Sequence, residues 1–124
     1  MNKTLSADLL AEAIPQIVEF GVEQMPKESV GLLTSEGRIA FLTNEASNLY
    51  NFYLVNGLQL ETAIHELYDP RVGIEVLQDL VIWHTHPSGF IGPSREDLRV
   101  RRQPILVDLA HLVISLPKGE AVYF

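Results

Sequence analysis

The sequence contains no cysteine, and this absence removes several classes of protein at once. Without thiols the chain has no disulfide framework, no cysteine-ligated zinc finger and no cysteine nucleophile. Any metal site must therefore be built from histidine and carboxylate side chains. Of the 124 residues, 47% are hydrophobic, which is enough for one globular core without covalent cross-links. We expect a single domain spanning residues 1–124.

Positive charge and long apolar runs are also scarce. Nine lysines and arginines stand against sixteen acidic residues, for a formal net charge of -7. Proteins that bind nucleic acids rely on basic side chains to neutralise phosphates, so we expect no nucleic-acid partner. No uninterrupted apolar stretch approaches the roughly 20 residues needed to cross a bilayer, and the N-terminus lacks the pattern of a secretion signal. We therefore expect no membrane contact and no export by that route.

Hydrophobic periodicity predicts a mixture of helices and strands. Apolar positions at helical spacing predict a first helix over residues 6–25, capped by Ser6 and kinked or restarted at Pro15. Further helices are predicted over residues 60–67 and over about ten residues from Ser94. The predicted strands cover residues 29–34, 38–43, 50–55, 80–83, 109–116 and 120–124. Gly37 is predicted to lie in the turn of a hairpin between the first two strands. The predicted fold class of the whole chain is α/β.

Two histidines follow the apolar run 80–83 directly. In a strand, residues two apart share a face and lie roughly 6.5 Å apart, so His84 and His86 can both reach one ion. A catalytic zinc takes three protein ligands and a water, and Asp97, in the first turn of the helix opened by Ser94, is the candidate third ligand. Each element alone has an ordinary explanation, because such histidine pairs are often incidental and Ser-x-x-Asp is also a helix-capping pattern.

Together these residues form a composite pattern that is much harder to match by chance. His84-Thr85-His86 is separated from Ser94 by seven residues, and Asp97 follows Ser94 after two more. The pattern resembles the signature of the JAMM, or MPN-plus, metallopeptidase family, in which a glutamate lies upstream of the two histidines. Here that glutamate corresponds to Glu28, at the predicted junction of the first helix and the first strand. The resemblance extends from about residue 9 to the C-terminus.

The resemblance implies a fold and a set of roles. The implied fold is a three-layer α-β-α domain with a curved mixed β-sheet. Zinc would be held by His84, His86 and Asp97 and completed by a water. Glu28 would act as the general base that activates this water, and Ser94 would donate a hydrogen bond to the oxyanion.

The implied reaction is zinc-dependent hydrolysis of a peptide or isopeptide bond. The substrate stays open among a ubiquitin-like conjugate, a sulfur-carrier protein and a cell-wall or tail peptide. The chain is too compact for the inserted segments of eukaryotic deubiquitinases, so we expect a prokaryotic or phage-tail type that is cytoplasmic or virion-associated. The alternative is a non-catalytic module of the same fold that serves binding or assembly, for example of phage tails.

The remaining conspicuous residues are better explained by structure. Taken alone, Glu28 would be interpreted as a solvated charge at a helix end. Trp83 is expected to pack in the core, and His111 to be a hydrogen-bonded core histidine rather than a fourth ligand. His65 is assigned no role. The local basic cluster is interpreted as a solvated helix face: Arg95, Arg99, Arg101 and Arg102.

Overall fold

The computed structural model describes residues 5–46, 57–67, 80–103 and 106–124. The predicted strand over residues 50–55 lies outside these ranges. The helices are α1 (Ala7–Gln24), α2 (Gly57–Leu67) and α3 (Arg95–Val100), with a short 3-10 turn at Leu106–Asp108. The strands are β1 (Val30–Thr34), β2 (Ile39–Leu42), β3 (Leu80–His86), β4 (Ala110–Ser115) and β5 (Ala121–Tyr123).

The five strands form one mixed sheet in the order β2-β1-β3-β4-β5. Strands β3 and β4 are parallel, and the other neighbouring pairs are antiparallel. The predicted α/β class is therefore confirmed. Strand β3 lies at the centre of the sheet and is buried along its whole length, which explains its continuous apolar run. It includes both histidines, as their predicted position on one face of a strand requires.

Helices cover both faces of this sheet. Along β3, Val81 and Trp83 point to one face, while Leu80 and Ile82 point to the other, as strand geometry requires. Helix α1 packs against the first of these faces, and α2 and α3 pack against the second. Because the second face also carries His84, two positions beyond Ile82, α3 lies on the same side of the sheet as the histidine pair.

Helix α1 matches its prediction at both ends and does not restart at Pro15. Ser6 caps the helix by accepting a hydrogen bond from the Leu9 N–H, and the helix ends before Met25. The helix runs without interruption through Pro15, so it does not restart there, and the alternative of a kink stays a prediction. Pro15 lies on the exposed side, where water can bind the carbonyl that proline leaves unpaired, while burial of Ile17 against the sheet stabilises the helix.

Helix α3 is shorter than predicted, with six residues instead of about ten. After its last residue, the N–H groups of Arg102 and Gln103 donate to carbonyls three residues earlier, which marks a tightened final turn. Gln103 also precedes a proline in the sequence, and the residue before proline is disfavoured in the α conformation. Helix α2, by contrast, begins at Gly57, earlier than the predicted residue 60.

Gly31 lies where β1 crosses the ring of Trp83, and this contact leaves no room for a side chain. A methyl group at Gly31 would overlap both the Trp83 ring and the Ala40 carbonyl oxygen. We expect Gly31→Ala to lower the free energy of unfolding by about 1–3 kcal/mol, the usual cost of overpacking. Urea denaturation of Gly31→Ala and Gly21→Ala tests this. At Gly21 the added methyl group would meet only side-chain atoms, the nearest being a Leu116 methyl at 3.0 Å. A loss of stability in Gly21→Ala as large as that in Gly31→Ala would contradict the prediction.

Candidate metal centre

The C-terminal end of β3 places two imidazoles on one face of the sheet. His84 and His86 are both buried, and their Nε2 atoms are 3.3 Å apart. Thr85 between them points to the opposite face, where its hydroxyl accepts a hydrogen bond from the Ser29 N–H. The sequence prediction that the two histidines share a face is confirmed.

Asp97 reaches the imidazoles because of the way α3 begins. The Ser94 hydroxyl accepts a hydrogen bond from the Asp97 N–H at 3.1 Å, and Asp97 Oδ2 accepts one from the Ser94 N–H at 2.8 Å. The same Oδ2 atom lies 3.0 Å from His84 Nε2 and 2.9 Å from His86 Nε2. The two interpretations of Ser-x-x-Asp are thus compatible, since the capping geometry itself directs the carboxylate at the histidines.

Glu28 lies in the connection between α1 and β1 and is only 5% exposed. Its backbone carbonyl accepts a hydrogen bond from the Asn44 side-chain amide at 3.1 Å. Its Oε1 atom is buried without a hydrogen-bond partner among the described residues. Glu28 is therefore not a solvated charge at a helix end, which was the interpretation for this residue taken alone.

These four side chains could hold a metal ion. One ligand atom from each of Glu28, His84, His86 and Asp97 can be chosen so that all lie within 4.8 Å of one another. Asp97 Oδ1, like Glu28 Oε1, is buried with no hydrogen-bond partner in the described part of the chain. Buried acceptors without partners are costly, and a cation would satisfy them.

Burial and close approach shift the pKa values of the four groups. Burial raises the pKa of Glu28 to about 8. Burial alone would also raise the pKa of Asp97, but hydrogen bonds with both histidines hold it well below its usual range. Burial lowers the pKa of His84, whereas for His86 the hydrogen bond and charge of Asp97 outweigh burial and raise the pKa. The cluster therefore favours an ionised Asp97 and a protonated Glu28 near neutral pH.

The loop between β3 and α3 orients the second histidine. His86 Nδ1 lies 3.2 Å from the Phe90 carbonyl oxygen. A carbonyl only accepts hydrogen bonds, so Nδ1 donates to Phe90, and Nε2, which faces Asp97 and His84, is the nitrogen that would bind a metal when the ring is neutral. Such a contact behind a histidine is the usual way in which proteins fix the ring of a metal ligand.

A cavity of about 430 Å³ opens beside the cluster. Glu28, His86 and Ser94 line it together with the exposed ring of Phe90. Ser94, the predicted oxyanion donor, is thus placed at the mouth of the site as well as at the start of α3. A molecule entering this cavity would meet the carboxyl group of Glu28, the imidazole of His86 and the hydroxyl group of Ser94.

The other histidines and the tryptophan lie outside the cluster, as predicted. His65 is exposed on α2, and His111 is buried with Nε2 2.6 Å from the Leu106 carbonyl oxygen, which confirms it as a hydrogen-bonded core histidine. Burial also lowers the pKa of His111. Trp83 is fully buried, and its indole N–H donates to the Leu32 carbonyl.

Sequence reasoning missed two contacts that support the cluster. Phe90 acts through its backbone carbonyl, which any residue type would provide, so no sequence signal could have identified it. The second contact is that of Asn44, whose side-chain amide donates to the Glu28 carbonyl across 16 residues. An asparagine in a loop is too common to suggest such a contact by itself.

Comparisons with known proteins found no match that would assign a family to this chain. No protein-family model matches the chain, and no curated protein matches its sequence. Across the part of the chain that the structure describes, every helix is too short or too polar to cross a bilayer. The functional argument therefore depends on the site itself.

Proposed function

We propose that this chain is a zinc-dependent hydrolase of peptide or isopeptide bonds, of the JAMM or MPN-plus type. The observation that carries the proposal is the convergence of His84, His86, Asp97 and Glu28 from β3, α3 and the α1–β1 connection on one buried point. Local strand geometry and helix capping explain why the side chains of His84, His86 and Asp97 converge. The arrival of a buried glutamate at the same point supports a catalytic role for this candidate metal site, because a general base must lie within reach of a metal-bound water.

The distances within the cluster suit zinc. Tetrahedral zinc, about 2.0–2.1 Å from each nitrogen or oxygen ligand, separates its ligand atoms by about 3.3 Å. His84 Nε2 and His86 Nε2 are 3.3 Å apart, and Asp97 Oδ2 lies 3.0 Å from the first and 2.9 Å from the second. Two imidazoles and one carboxylate are a usual ligand set for catalytic zinc and leave one position for water. We therefore assign His84, His86 and Asp97 as ligands.

Glu28 is suited to move a proton within this site. When bound, zinc lowers the pKa of a coordinated water from 15.7 to about 7 and so provides a nucleophile. Burial raises the pKa of the Glu28 carboxyl to about 8. A neighbouring cation would lower this pKa toward 7, because it stabilises the ionised carboxylate. A carboxylate in this range can accept the proton of the attacking water and later donate it to the departing amine.

Ser94 can stabilise the negative charge that develops on the substrate carbonyl oxygen. Its hydroxyl oxygen accepts the Asp97 N–H, and this capping bond does not use the hydroxyl proton. The proton is available to donate to an oxyanion in the adjoining cavity, which Ser94 lines. One residue thus caps the helix that carries Asp97 and contributes to the reaction.

Hydrolysis by the zinc-loaded protein tests the proposal directly. The substrates are a peptide library, an isopeptide-linked ubiquitin-like conjugate and a sulfur-carrier protein with a C-terminal extension. We expect cleavage of at least one class, its loss on chelation and its return on adding zinc. A protein that holds one zinc per chain and cleaves none of them would contradict the proposal and favour a non-catalytic assembly module.

Ser94→Ala is expected to lower kcat by about 100- to 1,000-fold, the usual cost of losing one oxyanion donor. It also removes a helix cap, which costs about 0.5–2 kcal/mol of stability. Ser6→Ala is the matched control, because Ser6 caps α1 through the same kind of bond and has no part in the site. Steady-state kinetics and thermal unfolding should show similar stability losses in the two variants but lower kcat only in Ser94→Ala. If Ser94→Ala and Ser6→Ala had the same kcat, Ser94 would not be the oxyanion donor.

A further inference from the structure

Thr85 lies between the two proposed zinc ligands but points away from them, toward the chain segment that carries Glu28. Its Oγ1 accepts a hydrogen bond from the Ser29 N–H at 2.9 Å, and its own N–H donates to the Ser29 carbonyl at 3.0 Å. Both residues are buried. Two hydrogen bonds therefore join the residue between the histidines to the residue that follows Glu28.

The hydroxyl bond replaces a regular sheet contact. The pairing of β1 with β3 includes Val30 opposite His84, so Ser29 and Thr85 form the next pair. In a hydrogen-bonded antiparallel pair, each residue donates to the carbonyl of the other. Here the Ser29 N–H binds the Thr85 hydroxyl instead of the Thr85 carbonyl. A side chain thus secures the last paired residue before Glu28.

We propose that Thr85 is a positioning residue that fixes the Glu28 carboxylate relative to His84 and His86. This inference depends on the proposed hydrolytic function of the same site. Glu28 Oε1 has no hydrogen bond of its own within the described residues, so the position of the carboxylate depends on its backbone. That backbone is held by Asn44 on the Glu28 carbonyl and by Thr85 on the following residue. Displacing a catalytic group by about 1 Å can cost 100-fold in rate.

The experiment compares substitutions that separate the hydroxyl of Thr85 from its shape. Thr85→Val keeps the branched shape but removes the acceptor, whereas Thr85→Ser keeps the hydroxyl. Thr34→Val is the matched control, because Thr34 is as buried as Thr85 and its hydroxyl also accepts backbone N–H groups, but at the opposite end of β1. Thr85→Ala serves in addition if Thr85→Val does not fold. Zinc content, kcat and KM are measured for each.

We expect Thr85→Val to lower kcat by about 10- to 100-fold with parental zinc content and KM, since the ligands and the cavity are unchanged. Thr85→Ser should recover most of the kcat. Thr34→Val should lose stability without losing kcat. A parental kcat in Thr85→Val, or a loss of activity proportional to a loss of zinc, would overturn the positioning role.

A second readout needs no substrate. The visible spectrum of the cobalt-substituted protein changes with pH as its water ligand ionises, and a neighbouring carboxylate influences the midpoint. Thr85→Val should shift this midpoint in the same direction as Glu28→Gln, while Thr85→Ser and Thr34→Val should leave it unchanged. A midpoint shift in a protein that hydrolyses nothing would support the positioning role while refuting the proposed function. An unshifted midpoint in Thr85→Val would refute the positioning role in either case.

Discussion

Replacing Glu28 with glutamine is expected to lower kcat by about 100- to 10,000-fold while leaving the zinc in place. Glutamine has nearly the same size but cannot accept a proton from the attacking water. Glu28 forms no hydrogen bond or ion pair with the proposed ligands in the described part of the chain, whereas the three ligand atoms lie within 3.3 Å of one another. Metal retention should therefore not depend on Glu28. Steady-state kinetics and elemental analysis of the purified variant test both statements.

His86→Ala provides the necessary contrast. It should lose zinc and activity together, because one of three ligands is removed. Glu12→Gln on the exposed side of α1 is the matched control and should change neither quantity. The assignment of Glu28 as the base would be wrong if Glu28→Gln kept the parental kcat. It would be wrong as well if this variant lost zinc as His86→Ala does, since Glu28 would then be a ligand.

Local rules were sufficient to predict the histidine pair and its partner from the sequence. The apolar run before His84 predicted a buried strand, and period-two geometry then placed His84 and His86 on one face. Ser94 and Asp97 matched a capping box, which turned out to set the direction of the carboxylate. These contacts could be predicted because the residues that form them are close together in the sequence, on β3 and on the helix α3 that follows it directly.

The position of Glu28 could not be derived in this way. Glu28 and His84 are far apart in the sequence and meet because β1 pairs with β3 in the register that puts Val30 opposite His84. Period-two patterns define the face of a strand but not its neighbour, and both strands are buried along their whole length, so no local pattern specified this pairing. Only the family resemblance had indicated Glu28. Contacts made through backbone atoms, such as the Phe90 carbonyl, also leave no trace in side-chain chemistry.

The same buried carboxylate should destabilise the protein when the metal is removed. Burial raises the pKa of Glu28 from 4.5 to about 8. Between these values the unfolded chain releases the Glu28 proton while the folded chain keeps it, so the free energy of unfolding falls as pH rises. At 1.36 kcal/mol per pH unit, the full loss above pH 8 amounts to about 5 kcal/mol. Below pH 4.5 the carboxyl is protonated in both states and this loss disappears.

Glu28→Gln should therefore be the more stable protein at alkaline pH once both are stripped of metal by a chelator. Urea denaturation from pH 4 to 9 should show a small difference between variant and parent at pH 4.5, growing by about 3–5 kcal/mol by pH 8. Asp97 and the histidines titrate in both proteins, so the difference reports Glu28 together with its coupling to His86 and Asp97. A difference that does not change with pH would mean that the carboxylate is solvated. Added zinc should reduce the difference in free energy of unfolding between Glu28→Gln and the parent at alkaline pH, because a cation beside Glu28 stabilises the ionised form that catalysis requires.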